Sequence, residues 1–205
     1  MNTPFISRFF RITVLTVTSL VLVASAAGAA DWKADPNHSK VGFSINHFLT
    51  PVEGRFGEFE AQIAYDPAKP EATTIKATIQ VASIDTGNDR RDGHLESADF
   101  FEAEKYPTIT FESTSVEAAG EGHLVAHGNL TMKGQTKPVD LHVNVLGVQA
   151  IPEQMQEHFG KELAAFSAKT SLDRTDFGVG VGNWAATLVV GAKVDISITI
   201  EASHQ

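Results

Sequence analysis

In the stretch KVGFSINHF, residues 40–48, Val41, Phe43, Ile45 and His47 fall on one side of an extended chain and Gly42, Ser44 and Asn46 on the other. That period of two is the signature of a half-buried β-strand. It recurs in Phe59, Ala61, Ile63 and Tyr65, in Ile75, Ala77, Ile79 and Val81, and in Ile109 and Phe111. Further along it runs through Leu124, Ala126, Gly128, Leu130 and Met132, and through Val139, Leu141, Val143 and Val145. Phe166, Ala168, Thr170 and Leu172 follow, and Val190, Ala192, Val194, Ile196, Ile198 and Ile200 close the series, about eight strands in all.

Each strand has one apolar and one polar face, a pattern that antiparallel sheets tolerate and parallel sheets rarely show. The connections DPAKPEA, EAAGEG and KGQTKP are short and rich in turn formers, which suits hairpins between neighbours. Eight sequential antiparallel strands without a helix layer predict an all-β fold, an extended up-and-down barrel whose closure removes exposed edges. A two-sheet sandwich is the alternative. The inward face mixes small residues (Ala61, Ala77, Ala126, Gly128, Ala168, Ala192) with large ones (Phe43, Phe59, Phe111, Phe166). Such a barrel is either filled by interdigitating side chains or hollow and apolar, fit for an alkyl chain rather than a sugar or nucleotide.

One segment breaks the rhythm. NDRRDGHLESADFFEAEKYPTITF, residues 88–111, is charged and carries a histidine and paired phenylalanines. Asn88 or Asp89 can cap a short helix, Leu95, Phe100 and Phe101 give it an apolar side, and Pro107 forbids its continuation before TITF resumes the strand period. A short helix and loop placed between two strands closes one barrel mouth, as a fixed plug or as a movable lid.

The first 30 residues belong to a different pattern. Arg8 and Arg11 precede the apolar run ITVLTVTSLVLVA, and SAAGAA follows, the order of a secretory signal peptide cleaved after Ala29 or Ala30. The expected location is the periplasm, with residues 31–205 as a single mature domain. The whole chain has 16 basic and 25 acidic residues, a net charge of −9, and loss of Arg8 and Arg11 takes it to −11. That balance argues against nucleic acid and against anionic membrane surfaces. The chain has no cysteine, so disulfides, thiol nucleophiles and thiolate metal sites are excluded.

Candidate chemistry is sparse. Asp92, His94 and Ser97 cluster in sequence, but no strand-elbow-helix of the GxSxG kind presents a serine. His123 and His127, four apart on a strand, share a solvent face without a carboxylate triad or HExxH motif. GVGVGN, residues 178–183, sits in an all-β context without a following helix, so it is no nucleotide loop. The expectation is therefore no catalysis, no metal and no cofactor. His47, at the end of the inward face of its strand, is placed either to meet a ligand's polar head or to be satisfied by a backbone carbonyl. Arg55, Arg90, Lys133 and Lys137 lie near strand ends, where cations can pair with an anionic head.

The runs RRDGHLESADFFEAEKYPTITFES, VGFSINHFLTPVEGRFGEFEAQIAYDP, GNLTMKGQTKPVDL and LDRTDFGVG resemble the YceI-like family, exported lipocalin-like proteins described as polyisoprenoid-binding. The resemblance spans essentially the whole mature chain. It implies an extended eight-stranded barrel holding a long polyprenyl or acyl chain, and so favours the hollow barrel over a filled one acting as a stress-related interaction protein. It also implies, by family analogy, homodimers and a membrane partner of the cytochrome b561 type. Lumenal ligand contacts are then expected from Phe43, Ile45, His47, Phe59, Ala77, Ile79, Phe111, Ala126, Leu141 and Phe166 on strands, with Phe101 and Trp184 at the mouth. The family positions Arg91 with Asp92 and Arg174 with Asp176 are read as salt-bridged corners that fix loops. Trp184 and Leu188 lie in GVGVGNWAATLVVGAK, a variable segment of the family whose place as a mouth flap the resemblance leaves open.

Overall fold

The structure, a computed structural model, describes residues 30–185 and 188–204. All of the expected signal peptide except Ala30 lies outside the described residues. Eight strands follow one another around a closed ring, and every pairing is antiparallel. The first three are each built in two pieces. Strand β1 comprises Ala30–Ala34 and Lys40–His47, β2 comprises Thr50–Phe56 and Phe59–Tyr65, and β3 comprises Thr74–Gln80 and Ile84–Asp85. The remaining strands are β4 (Thr108–Gly120), β5 (His123–Met132), β6 (Gln135–Ala150), β7 (Glu162–Asp173) and β8 (Val190–His204). β8 pairs with β7 on one edge and with both pieces of β1 on the other, which closes the barrel.

The breaks align around the ring. β1 is interrupted by a 3₁₀ turn, Pro36–His38, capped by the Asp35 carboxylate, which accepts from Asn37 N–H at 2.9 Å. β3 is interrupted by the turn Val81–Ser83. At each break the sheet changes partner pieces without losing its neighbour, so the barrel bends rather than opens. In the lower piece of β2, Phe59, Ala61, Ile63 and Tyr65 are buried while Glu60 and Gln62 are exposed, the alternation anticipated from the sequence.

Several strands are longer than their apolar alternation implies. β2 begins at Thr50, although Pro51 and Gly54 look like strand breakers. Pro51 pairs with Asn46 at the lip of the sheet, beyond the last residues of β3, so its missing N–H leaves no ladder bond unmade. The turns between β4 and β5 and between β5 and β6 shrink to Glu121–Gly122 and Lys133–Gly134; most of EAAGEG and KGQTKP is strand. Pro138 itself pairs with Asn129.

One end of the barrel is packed shut and forms a floor. Trp32, 2% exposed, donates its indole N–H to the Tyr65 carbonyl at 3.2 Å, and the Tyr65 ring meets Phe166 edge-on at 5.5 Å. The opposite end is the mouth, formed by the Phe48–Leu49 turn, residues 86–107, the Lys133–Gly134 turn, and residues 174–185 with 188–189. Helix α1, Asp89–Glu96, occupies it as expected: Asn88 caps it by accepting from Arg91 N–H at 3.1 Å. A four-residue helix, Gln156–Phe159, lies at the floor end and has no counterpart in the sequence reading.

Candidate ligand-binding site

Between floor and mouth lies a cavity of about 700 Å³. Its size is that of a small-molecule site, and its walls are overwhelmingly apolar. The twelve positions expected to face the lumen all line it: Phe43, Ile45, His47, Phe59, Ala77, Ile79, Phe101, Phe111, Ala126, Leu141, Phe166 and Trp184. Ala126, Ala77, Ala61 and Ala168 leave room between the rings.

Two of the small inward positions do not provide that room. A Cβ on Gly128 would overlap the Phe111 ring, so the glycine seats a phenyl group already present instead of opening space. Ala192 sits where the register of β8 against β1 shifts, between Val190 and Val194, and is not among the lining residues. Gly54 acts as Gly128 does, seating the ring of Phe43. Val52, on the upper piece of β2, lines the cavity and was missed; the alternation Val52, Gly54, Phe56 was the available signal, hidden by Pro51.

The mouth is held by two arginines, neither as an ion pair with the aspartate expected. Arg91 donates to the Thr86 hydroxyl and carbonyl, both at 2.7 Å, while the Asp92 carboxylate accepts from Thr86 N–H at 3.0 Å and from its hydroxyl. Both side chains therefore converge on Thr86, locking α1 to the end of β3. Arg174 is 3% exposed. Its Nε donates to Gly191 O (2.8 Å), Nη1 to Val179 O (2.7 Å) and Gly180 O, and Nη2 to Trp184 O (2.8 Å) and Val190 O (3.1 Å). All five guanidinium N–H groups are thus spent on backbone carbonyls. Burial pulls the Arg174 pKa below the ordinary arginine value. Asp176 is exposed and takes no part.

A second clasp joins residues 174–185 to the α1 segment. The Asp99 carboxylate accepts from His94 Nε2 at 2.9 Å and from Trp184 Nε1 at 3.2 Å. These two hydrogen bonds, that of His94 first, hold the Asp99 pKa below the usual carboxylate value. The Trp184 ring packs against His94 and Phe100, with centroids at 4.9 and 5.7 Å. Gly180, at φ +63°, donates its N–H to Asp99 O, and a Cβ there would run into Arg174 and Phe100. This arrangement fixes Trp184 in the mouth; Leu188, also considered as a flap, is 78% exposed.

The other candidates separate. Asp92 bonds Thr86, His94 bonds Asp99 and the Ser97 hydroxyl donates to the His94 carbonyl at 2.7 Å, so the three do not form a relay. His127 bonds Asp140 at 2.7 Å across the sheet, which raises its pKa, and His123 bonds Asn144 at 2.6 Å. His47 is exposed at the rim with its ring edge-on to Phe48, 4.9 Å away, rather than enclosed. Of the four cations near strand ends, only Arg90 lines the cavity. Arg55 pairs with Asp85, Lys133 donates to Ala98 O, and Lys137 is on the outer surface.

A closed antiparallel barrel with an apolar lumen, a packed floor and a helix-capped mouth defines the class of lipocalin-like barrel binding proteins. The chain belongs to the YceI-like family: residues 32–202 match its domain. A UPF0312 protein of Vibrio cholerae is 35% identical over 188 residues, 90% of this chain and 93% of that protein. One from Shewanella sp. is 38% identical over 184 residues, 88% and 91%. Among solved structures, Burkholderia cenocepacia BcnA superposes with a TM-score of 0.75 at 31% identity, covering 83% of this chain and 99% of that one. A polyisoprenoid binding domain from Saccharophagus degradans, implicated in plant cell wall breakdown, shares the fold at TM-score 0.64 and 14% identity, covering 85% and 98%.

Proposed function

We propose that the protein is an exported carrier or reservoir that shields one long-chain amphiphile, a polyisoprenoid, isoprenoid quinone or fatty-acid derivative, inside its barrel. The observation that supports this most is the apolar cavity of about 700 Å³, enclosed by the floor and reached from the mouth. Burying eight methylene groups there contributes on the order of 6 kcal/mol at about 0.8 kcal/mol each, before ordering costs. Such a contribution depends on chain length and hardly on head group. Export rests on the arginine-flanked apolar run and the small residues up to Ala30. The polyisoprenoid-binding description of the Saccharophagus domain supports the same class of cargo. We assign the lumen no catalytic step. The dimer and the b561-type membrane partner implied by family analogy are separate proposals.

Native mass spectrometry of the mature protein from its own host, followed by organic extraction, tests this reading. A stoichiometric long-chain species establishes the carrier and names its cargo. A protein that is empty and also refuses added polyprenyl and acyl lipids overturns it.

A further inference from the structure

Among the described residues, the charged side chains that line the cavity are Arg90, Arg91 and Arg174, joined by the imidazoles of His47 and His94, and no aspartate or glutamate lines it. In a chain with 25 acidic and 16 basic residues this is an inversion of the overall balance. Two of the three arginines are already engaged, Arg174 with five carbonyls and Arg91 with Thr86. Arg90, exposed on the first turn of α1 at the mouth, has no ion-pair partner among the described residues. The nearby carboxylates face other partners: Asp85 pairs with Arg55, Asp92 with Thr86, and Asp99 with His94 and Trp184. Asp89, adjacent in sequence, is exposed and outside the lining.

We propose that the cargo is anionic at its head and that Arg90 receives that head at the mouth while the chain runs down to the floor. The proposal rests on the carrier reading above and adds the polarity and chemistry of the ligand. A planar guanidinium with free donors matches a carboxylate or a phosphate bidentately. The floor end is lined by Phe166, Ile63, Leu124 and similar apolar walls, the polar Thr73 there already donates to Pro70 O, and no cation lies among the lining residues there, so that end offers a charged head no counter-charge. Arg174 adds a fixed positive charge beside the mouth; Asp173 lies near enough to act on it, but no carboxylate among the described residues forms an ion pair with it, which favours the same orientation.

The test compares ligands of equal chain length on the delipidated mature protein: palmitate, hexadecyl phosphate and hexadecanol, by calorimetry at low and high salt. The anions are expected to bind roughly tenfold tighter than the alcohol at low salt, with the gap narrowing as salt rises. Arg90→Gln is expected to bring anions and alcohol to parity, chiefly by weakening the anions about tenfold, while Lys137→Gln, on the outer surface, leaves the anion preference as it was. A preference for the phosphate points to a phosphorylated isoprenoid-type head, and one for palmitate to an acyl carboxylate; either supports the proposal. Equal binding of all three by the unaltered protein, or an anion preference that survives in Arg90→Gln, overturns it. Failure of all three to bind would instead count against the carrier reading itself.

Discussion

Replacing Arg174 by methionine keeps most of the side chain's length and apolar packing but removes five N–H donors at once. Each acceptor is a carbonyl of residues 179–191, and with the guanidinium gone those oxygens lose their partners. A hydrogen bond from a charged donor is worth about 1.5 kcal/mol or more, but desolvation of the buried guanidinium offsets part of that; at about 1 kcal/mol net each, five give about 5 kcal/mol, falling to about 3 if the carbonyls nearest the surface regain water. For a domain of this size that corresponds to a drop in melting temperature on the order of 10 °C. Urea unfolding, read from the midpoint at unchanged slope, measures it. The control is Asp176→Asn: the aspartate is exposed, and its loss is expected to cost less than about 0.5 kcal/mol. Were Arg174 held by an ion pair to Asp176, both variants would lose stability together. An Arg174→Met protein within about 1 kcal/mol of the parent, or an Asp176→Asn protein as damaged as Arg174→Met, refutes the carbonyl cradle.

Ala126→Phe places a ring inside the lumen, where Ala126 is fully buried, and is expected to abolish lipid uptake with the fold retained; fluorescent-lipid displacement checks it, and unchanged uptake would remove Ala126 from the cavity wall. Gly128→Ala forces a methyl against both the Phe111 ring and the Glu112 carbonyl and should cost about 1 to 3 kcal/mol in denaturant unfolding, whereas a neutral result would mean the ring has somewhere to go. The Asp99 clasp has a defined acid limit. Because the folded pKa of Asp99 is depressed, its contribution is present above the ordinary aspartate value of 3.8 and is lost as pH falls through the lower folded value. Trp184 emission should therefore change in acid below 3.8, and Asp99→Asn should show the released signal at neutral pH; an emission indifferent to both would place Trp184 outside the clasp.

The barrel was legible because every strand is half-buried, so each leaves a period of two in the sequence; the closure of β8 on β1 follows from eight such strands without a covering layer. Strand ends were less legible. Pro51 and Gly54 read as breakers, yet each is tolerated for a reason that only the assembled sheet supplies, a lip without a neighbour for one and the Phe43 ring for the other. The lumen showed the same division. Ala126 and Gly128 look alike as small inward residues, but the second is occupied by Phe111, whose reach across the β4–β5 pair depends on register. At the mouth, the sequence displays arginines beside aspartates and is silent about carbonyls. Arg174 and Asp176 lie in a four-residue 3₁₀ turn, Arg174–Phe177, that buries the one and exposes the other.

Both ends of the described chain lie at the floor. Ala30 pairs with Tyr65, Lys33 with Ser203, and β8 runs out at His204, while every element that shapes the mouth is an internal connection. Anything joined directly ahead of Ala30 or directly after His204, a support surface, a reporter domain or an affinity handle, therefore departs from the sealed pole with the opening on the far side of the barrel. Both junctions share that pole, so the barrel can be anchored through either one without obstructing the passage through which cargo would move.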